Sequence, residues 1–104
     1  MTFNEYQEFV ASIKRYPTEY KMLYPTLGLC GEAGEVAEKV KKHIRDGAKE
    51  NFKETITKEL GDVLWYLSAL AGDLDITLQE VADTNKQKLE DRLQRNKLHG
   101  EGDN

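Results

Sequence analysis

Both prolines of this chain, Pro17 and Pro25, fall in one early segment, and beyond Pro25 only glycines interrupt helical sequence. Past that point apolar residues recur three and four positions apart, and the strict alternation of a half-buried strand is absent. The chain is therefore expected to be all-α. Thr2 and Glu5 have capping-box spacing and open a first helix that buries Phe3, Tyr6, Phe9, Val10 and Ile13. A tyrosine-rich connection over 14–26, with Tyr16, Tyr20 and Tyr24 around the prolines, leads to a second helix from about Leu27 to Arg45. Its apolar positions are Leu29, Cys30, Ala33, Val36, Ala37, Val40 and Ile44, so Cys30 reads as a small core residue. Asp46-Gly47 is a plausible stop. A third helix covers Asn51 to Asp73, with Ile56, Leu60, Val63, Leu64, Leu67 and Ala71 on one stripe. Thr77 and Glu80 repeat the capping box and open a fourth helix, Leu78 to about Leu98, with a frayed tail at 100–104. Four helices on short connections in a single domain of 104 residues predict an up-and-down four-helix bundle.

A short internal repeat says what the bundle holds. Glu32-Ala33-Gly34-Glu35-Val36 on the second helix matches Glu59-Leu60-Gly61-Asp62-Val63 on the third. At about 100° per residue, acids at i and i+3 lie roughly 60° apart, so each pair can converge on one point. On antiparallel neighbours the two pairs can face one another. Four carboxylates brought together repel unless a cation sits among them, and hard oxygen ligands suit Mg²⁺, with Mn²⁺ as the alternative, better than zinc. Glycine inside a helix costs about 0.5–1 kcal/mol relative to alanine, so one between the acids on both helices points to close helix approach or ligand access. A lone Glu-x-x-Glu is ordinarily a solvated face, and Glu35–Lys39 and Glu38–Lys42 do have ion-pair spacing. Two matched pairs with matched glycines tip the reading to a metal site made of Glu32, Glu35, Glu59 and Asp62.

The segments Leu27–Glu38 and Lys58–Leu67, together with Asn85, Lys88-Leu89 and Arg92 on the fourth helix, resemble the MazG-like branch of the all-α nucleoside-triphosphate pyrophosphohydrolases. The resemblance spans most of the chain from Leu27 onward. It departs at Gly31, where the family's broad motif has the first of two adjacent glutamates; four acids remain matched, with Glu38 an extra candidate. It implies Mg²⁺-dependent hydrolysis of the α–β phosphoanhydride of a nucleoside or deoxynucleoside triphosphate to monophosphate and pyrophosphate. Glu35 or Glu38 would deprotonate the attacking water. Asn85, Lys88 and Arg92, at i, i+3 and i+7, would contact phosphate or sugar. Tyr66, four residues beyond Asp62, would support the metal site or pack on the substrate, whereas Trp65 points elsewhere and reads as core or interface. The alternatives are a catalytically silent helical binding or dimerisation module and a hydrolase of a non-nucleotide diphosphate.

Charge and length limit the partners. A net charge of −4 argues against a sequence-independent grip on a nucleic-acid polymer. No apolar run approaches the roughly 18 residues of a membrane span, and Met1 leads into polar Thr2, Asn4 and Glu5 rather than a signal peptide, so the expected location is cytoplasmic. A four-helix unit this small leaves aromatic and acidic faces for a partner, so a homodimer is the minimum expectation and the resemblance allows a homotetramer.

Overall fold

The computed structural model describes residues 1–47 and 50–95. These form helix α1 (Phe3–Ile13), a 3₁₀ turn (Thr18–Tyr20), and helices α2 (Leu23–Asp46), α3 (Phe52–Asp73) and α4 (Leu78–Gln94), with no strand among the described residues. Both capping boxes are present. Thr2 Oγ1 accepts from the Glu5 N–H at 3.0 Å while Glu5 Oε1 accepts from the Thr2 N–H at 2.6 Å. Thr77 and Glu80 do the same at 3.0 and 2.9 Å. The expected continuation of α4 to Leu98 and the tail at 100–104 lie outside the described residues.

Helix α2 begins at Leu23, four residues before the expected start. Pro25 is compatible with this because the first turn of a helix has no use for its N–H groups. The start is set by Met22, which adopts a left-handed φ of 68° and whose carbonyl accepts from the Thr26 N–H at 3.1 Å and Thr26 Oγ1 at 2.6 Å.

Helices α2 and α3 pair along their length, and α1 lies against α3 and α4. The α2–α3 pair is antiparallel: Gly28 meets Tyr66, Glu32 approaches Asp62 and His43 stacks on Phe52, stepping in opposite directions along the two helices. The core is small and sits where α1, the C-terminal part of α3 and the start of α4 meet, around Val10, Ala69, Ala71 and Leu78. Gln7 fastens this junction. Its Nε2 donates to the Ile76 carbonyl at 2.9 Å, and its Oε1 accepts from the Leu78 N–H at 2.9 Å.

The apolar residues of α2 divide between two faces. Leu29 and Val36 are half-buried, whereas Cys30, Ala33, Ala37, Val40 and Ile44 are exposed. Cys30 is thus not a core residue: α2 packs chiefly on α3, which can cover only one side of it. Leu60 on α3 and Val81, Leu89 and Leu93 on α4 are exposed as well. No helix of the described residues is long and apolar enough to cross a membrane.

Candidate metal centre

Glu32 comes from the middle of α2, and Glu59 and Asp62 lie one turn apart on α3. One carboxylate oxygen from each lies within 4.8 Å of the others. Glu32 and Glu59 are half-buried and Asp62 is exposed, so the cluster is walled by the helices and open on the Asp62 side. Glu59 Oε2 is buried and has no hydrogen-bond partner. Burial first, then the charges of Asp62, Glu59 and Glu35, push the Glu32 carboxyl above the usual carboxylate range. Keeping Glu32 ionised beside those charges is therefore unfavourable, and a divalent cation would turn that repulsion into attraction. The donors are all carboxylate oxygens, which fit Mg²⁺ or Mn²⁺.

Glu35 is exposed and is not among the oxygens that converge, although its charge reaches Glu32. Glu38 is occupied differently. Its carboxylate pairs with Lys41 at 3.0 Å, in place of the expected Lys42, and this bond holds it below the usual carboxylate range. The expected Glu35–Lys39 pair does not form.

Aromatic side chains surround the acids. Glu32, Asp62, Trp65 and Tyr66 line an open cleft of about 280 Å³. Trp65 and Tyr66 also border a neighbouring hollow of about 310 Å³ with Arg15, Tyr16, Pro17 and Tyr24. Trp65 thus faces the acids rather than lying elsewhere on α3, with its ring edge-on to Tyr66 at 5.1 Å. Tyr16 and Tyr24 stack at 4.8 Å. Tyr6, read from the sequence as core, is also close: burial first and then the Asp62 charge raise its hydroxyl pKa. An aromatic on a helix reads as packing, so neither Tyr6 nor Trp65 carried a signal of this position. The fourth-helix residues are elsewhere. Asn85 and Lys88 are exposed on α4, Arg92 is half-buried, and none of the three lines the acid cleft of its own chain.

The close approach of α2 and α3 is at Gly28, not between the acids. A Cβ at Gly34 or Gly61 would meet nothing within 4 Å, whereas one at Gly28 would collide with the Tyr66 ring. Gly28→Ala gains about 1 kcal/mol of helix propensity, but overpacking costs about 1–3 kcal/mol, so the clash wins unless Tyr66 moves. The expected result is a less stable protein whose stability recovers in Gly28→Ala/Tyr66→Ala relative to Tyr66→Ala alone. Thermal melts of the four-member cycle measure this, and strictly additive effects would show that the two residues do not touch.

Helices that gather carboxylates from two antiparallel neighbours into a half-buried cluster define a helical protein able to hold a hard divalent cation. The chain belongs to the MazG nucleotide pyrophosphohydrolase domain family, whose model matches residues 22–96. It is 47% identical over 85 residues to the "Gene 37 protein" of Mycobacterium phage L5, covering 78% of this chain and 74% of the phage protein. No solved structure gives a significant match.

Proposed function

We propose that the protein hydrolyses the α–β phosphoanhydride of a nucleoside or deoxynucleoside triphosphate, releasing monophosphate and pyrophosphate. The observation that carries this is the convergence of Glu32, Glu59 and Asp62, with Glu59 Oε2 buried and unsatisfied, in a chain of this family. These three acids would hold Mg²⁺, with Glu35 beside them. When bound, the ion neutralises the triphosphate and stabilises charge on the leaving pyrophosphate.

The chain's own groups supply the rest. Glu35 is the better general base, because Glu38 is engaged by Lys41 and its lowered pKa makes it a weaker proton acceptor. Glu35 would take the proton of the attacking water. The flat faces of Trp65 and Tyr66 beside the acids offer a base or sugar a surface on which to stack.

Self-association completes the reading. Leu27, Val40 and Ile44 on α2 and Val81, Leu89 and Leu93 on α4 are large apolar side chains left exposed. The apolar stripes of α2 and α4 would be covered by a second copy, which would carry the phosphate-directed Asn85, Lys88 and Arg92 to the acids. Light scattering is expected to report a dimer or larger, and Leu89→Glu is expected to dissociate it and lower turnover at least tenfold. A wild type that is monomeric at micromolar concentration and fully active would remove the second copy from the site.

Product chromatography after incubation with a panel of NTPs and dNTPs, with Mg²⁺ or with EDTA, tests the reaction. Monophosphate plus pyrophosphate, formed only with metal, is the expected result. Diphosphate plus phosphate, or no turnover of any nucleotide, overturns it.

A further inference from the structure

A second hollow lies between α2 and α3 on the side of the acids facing the α2–α3 connection. It measures about 230 Å³ and is lined by Lys39, Lys42, His43, Asn51, Phe52 and Thr55. Lys39 and Phe52 each stand seven residues from an acid of the cluster, Glu32 and Glu59 respectively, which is about 10 Å along a helix. The hollow is therefore a separate place, not an arm of the acid cleft. Its chemistry is opposite in sign. Neither Lys39 nor Lys42 makes an ion pair with a described residue, while the neighbouring Lys41 is taken by Glu38. Asp46 also borders it, but its two carboxylate oxygens accept from Arg45 at 2.8 and 2.9 Å.

Two further features of the hollow ask for an acceptor. His43 stacks on Phe52 with ring centroids 3.7 Å apart, and its Nδ1 is buried without a hydrogen-bond partner. A buried polar atom left unpaired is unfavourable, so a ligand oxygen accepting from an Nδ1–H there would be favoured. α3 also starts at this point, and no side-chain hydrogen bond from Asn51 caps it. Lysine ammoniums are compact point charges that serve phosphoryl groups, and Lys39 and Lys42 place two of them at the one hollow.

We propose that this hollow between α2 and α3 is an anion site that takes a phosphoryl group, with Lys39, Lys42 and His43 as its donors. It stands on the hollow itself and does not require the hydrolysis proposed above. Two sources share this chemistry: the pyrophosphate end of a nucleotide held at the acids, or a separate phosphorylated effector.

The test is titration of the full chain with inorganic pyrophosphate in EDTA, so that no metal can recruit it to the acids. The readout is the His43 ring resonance, assigned by His99→Gln because the chain has two histidines. The expected result is a saturable shift that survives in Glu59→Gln and weakens at least tenfold in Lys39→Gln/Lys42→Gln, with Thr55→Val as a milder second variant. No saturable shift, loss of the shift in Glu59→Gln, or wild-type binding by the double lysine variant overturns the site. Adding a non-cleavable α,β-methylene triphosphate with Mg²⁺ separates the sources. Displacement of pyrophosphate identifies the nucleotide's own tail, and simultaneous binding identifies an independent effector; either outcome supports a phosphoryl site.

Discussion

Glu59→Gln is expected to lower turnover about 100- to 1,000-fold while leaving the fold intact, because a first-sphere metal contact contributes several kcal/mol and each 1.36 kcal/mol is a factor of ten in rate. Glutamine keeps the shape of the side chain and removes the charge. In the metal-free protein that change should not destabilise. It takes away one of the charges that push the Glu32 carboxyl up, and it leaves an amide where a buried carboxylate oxygen already lacked a partner. The metal-free variant should therefore melt no lower than wild type. With Mg²⁺ the order reverses. An ion at a hundredfold excess over its Kd stabilises wild type by about 2.7 kcal/mol, and the variant should gain little. Turnover and melting with and without Mg²⁺ thus give a matched pair of readings. Retained activity with Mg²⁺ would sink the carboxylate site, and a variant that melts lower without metal would show that Glu59 is structural. Glu35→Gln should differ by losing turnover while keeping most of the Mg²⁺-dependent rise in melting temperature, since Glu35 lies outside the converging oxygens.

The comparison between sequence and structure turns on what a single helix can report. Capping and helix ends are local, and those readings agree with the structure: the starts of α1 and α4 follow from Thr2 and Thr77, and α3 ends at Asp73 as expected. Periodicity marks an apolar stripe without saying whether anything covers it, and Phe3, Phe9 and Ile13 on α1, expected to be buried, are exposed. Helix α2 starts earlier than expected because Pro25, a breaker inside a helix, is tolerated in its first turn. The repeat located three converging acids because two acids on one helix share a face. It did not separate Glu32 from Glu35, since the rotation of α2 about its own axis relative to α3 decides which acid of the α2 pair faces inward. That rotation is set by where the helices touch, and the contact is Gly28 against Tyr66, a pairing that no spacing within one helix reveals.

The buried carboxylate at the end of α3 is the clearest example of a feature with no local signal, and it carries the largest stability effect expected here. Asp73, at 2% side-chain exposure, accepts from Lys14 Nζ at 2.8 Å, from the Tyr16 hydroxyl at 2.7 Å and from the Met22 N–H at 2.9 Å. Its partners lie 51 to 59 residues away in the chain. This one side chain holds the whole connection between α1 and α2, including the left-handed Met22 at which α2 begins. Burial pushes the Asp73 carboxyl up, but the bonds from Lys14, Met22 and Tyr16 more than offset it and hold the group below the usual carboxylate range. Asp73→Ala would leave a largely buried ammonium, a hydroxyl and an N–H without their acceptor. Removing one partner of a buried pair costs about 3–5 kcal/mol, and the 23% exposure of the Lys14 side chain lowers the expectation to about 2–4 kcal/mol. For a domain of this size each kcal/mol moves the melting temperature by about 4–8 °C, so a fall of at least about 8 °C is expected at fixed protein concentration. Asp73→Asn should cost less, since its amide oxygen can still accept from Tyr16 or Met22. The sign of the pH dependence follows from the lowered pKa. A carboxylate held below its unfolded value contributes stability that is fully present above about pH 4 and is lost as pH falls through its folded value. The gap between wild type and Asp73→Asn should therefore be widest at neutral pH and narrow on acidification below that range. Urea titrations at pH 7 and at pH 3 measure it. A gap of equal size at both values would show that the charge of Asp73 contributes nothing and that its hydrogen-bonding shape alone holds the connection.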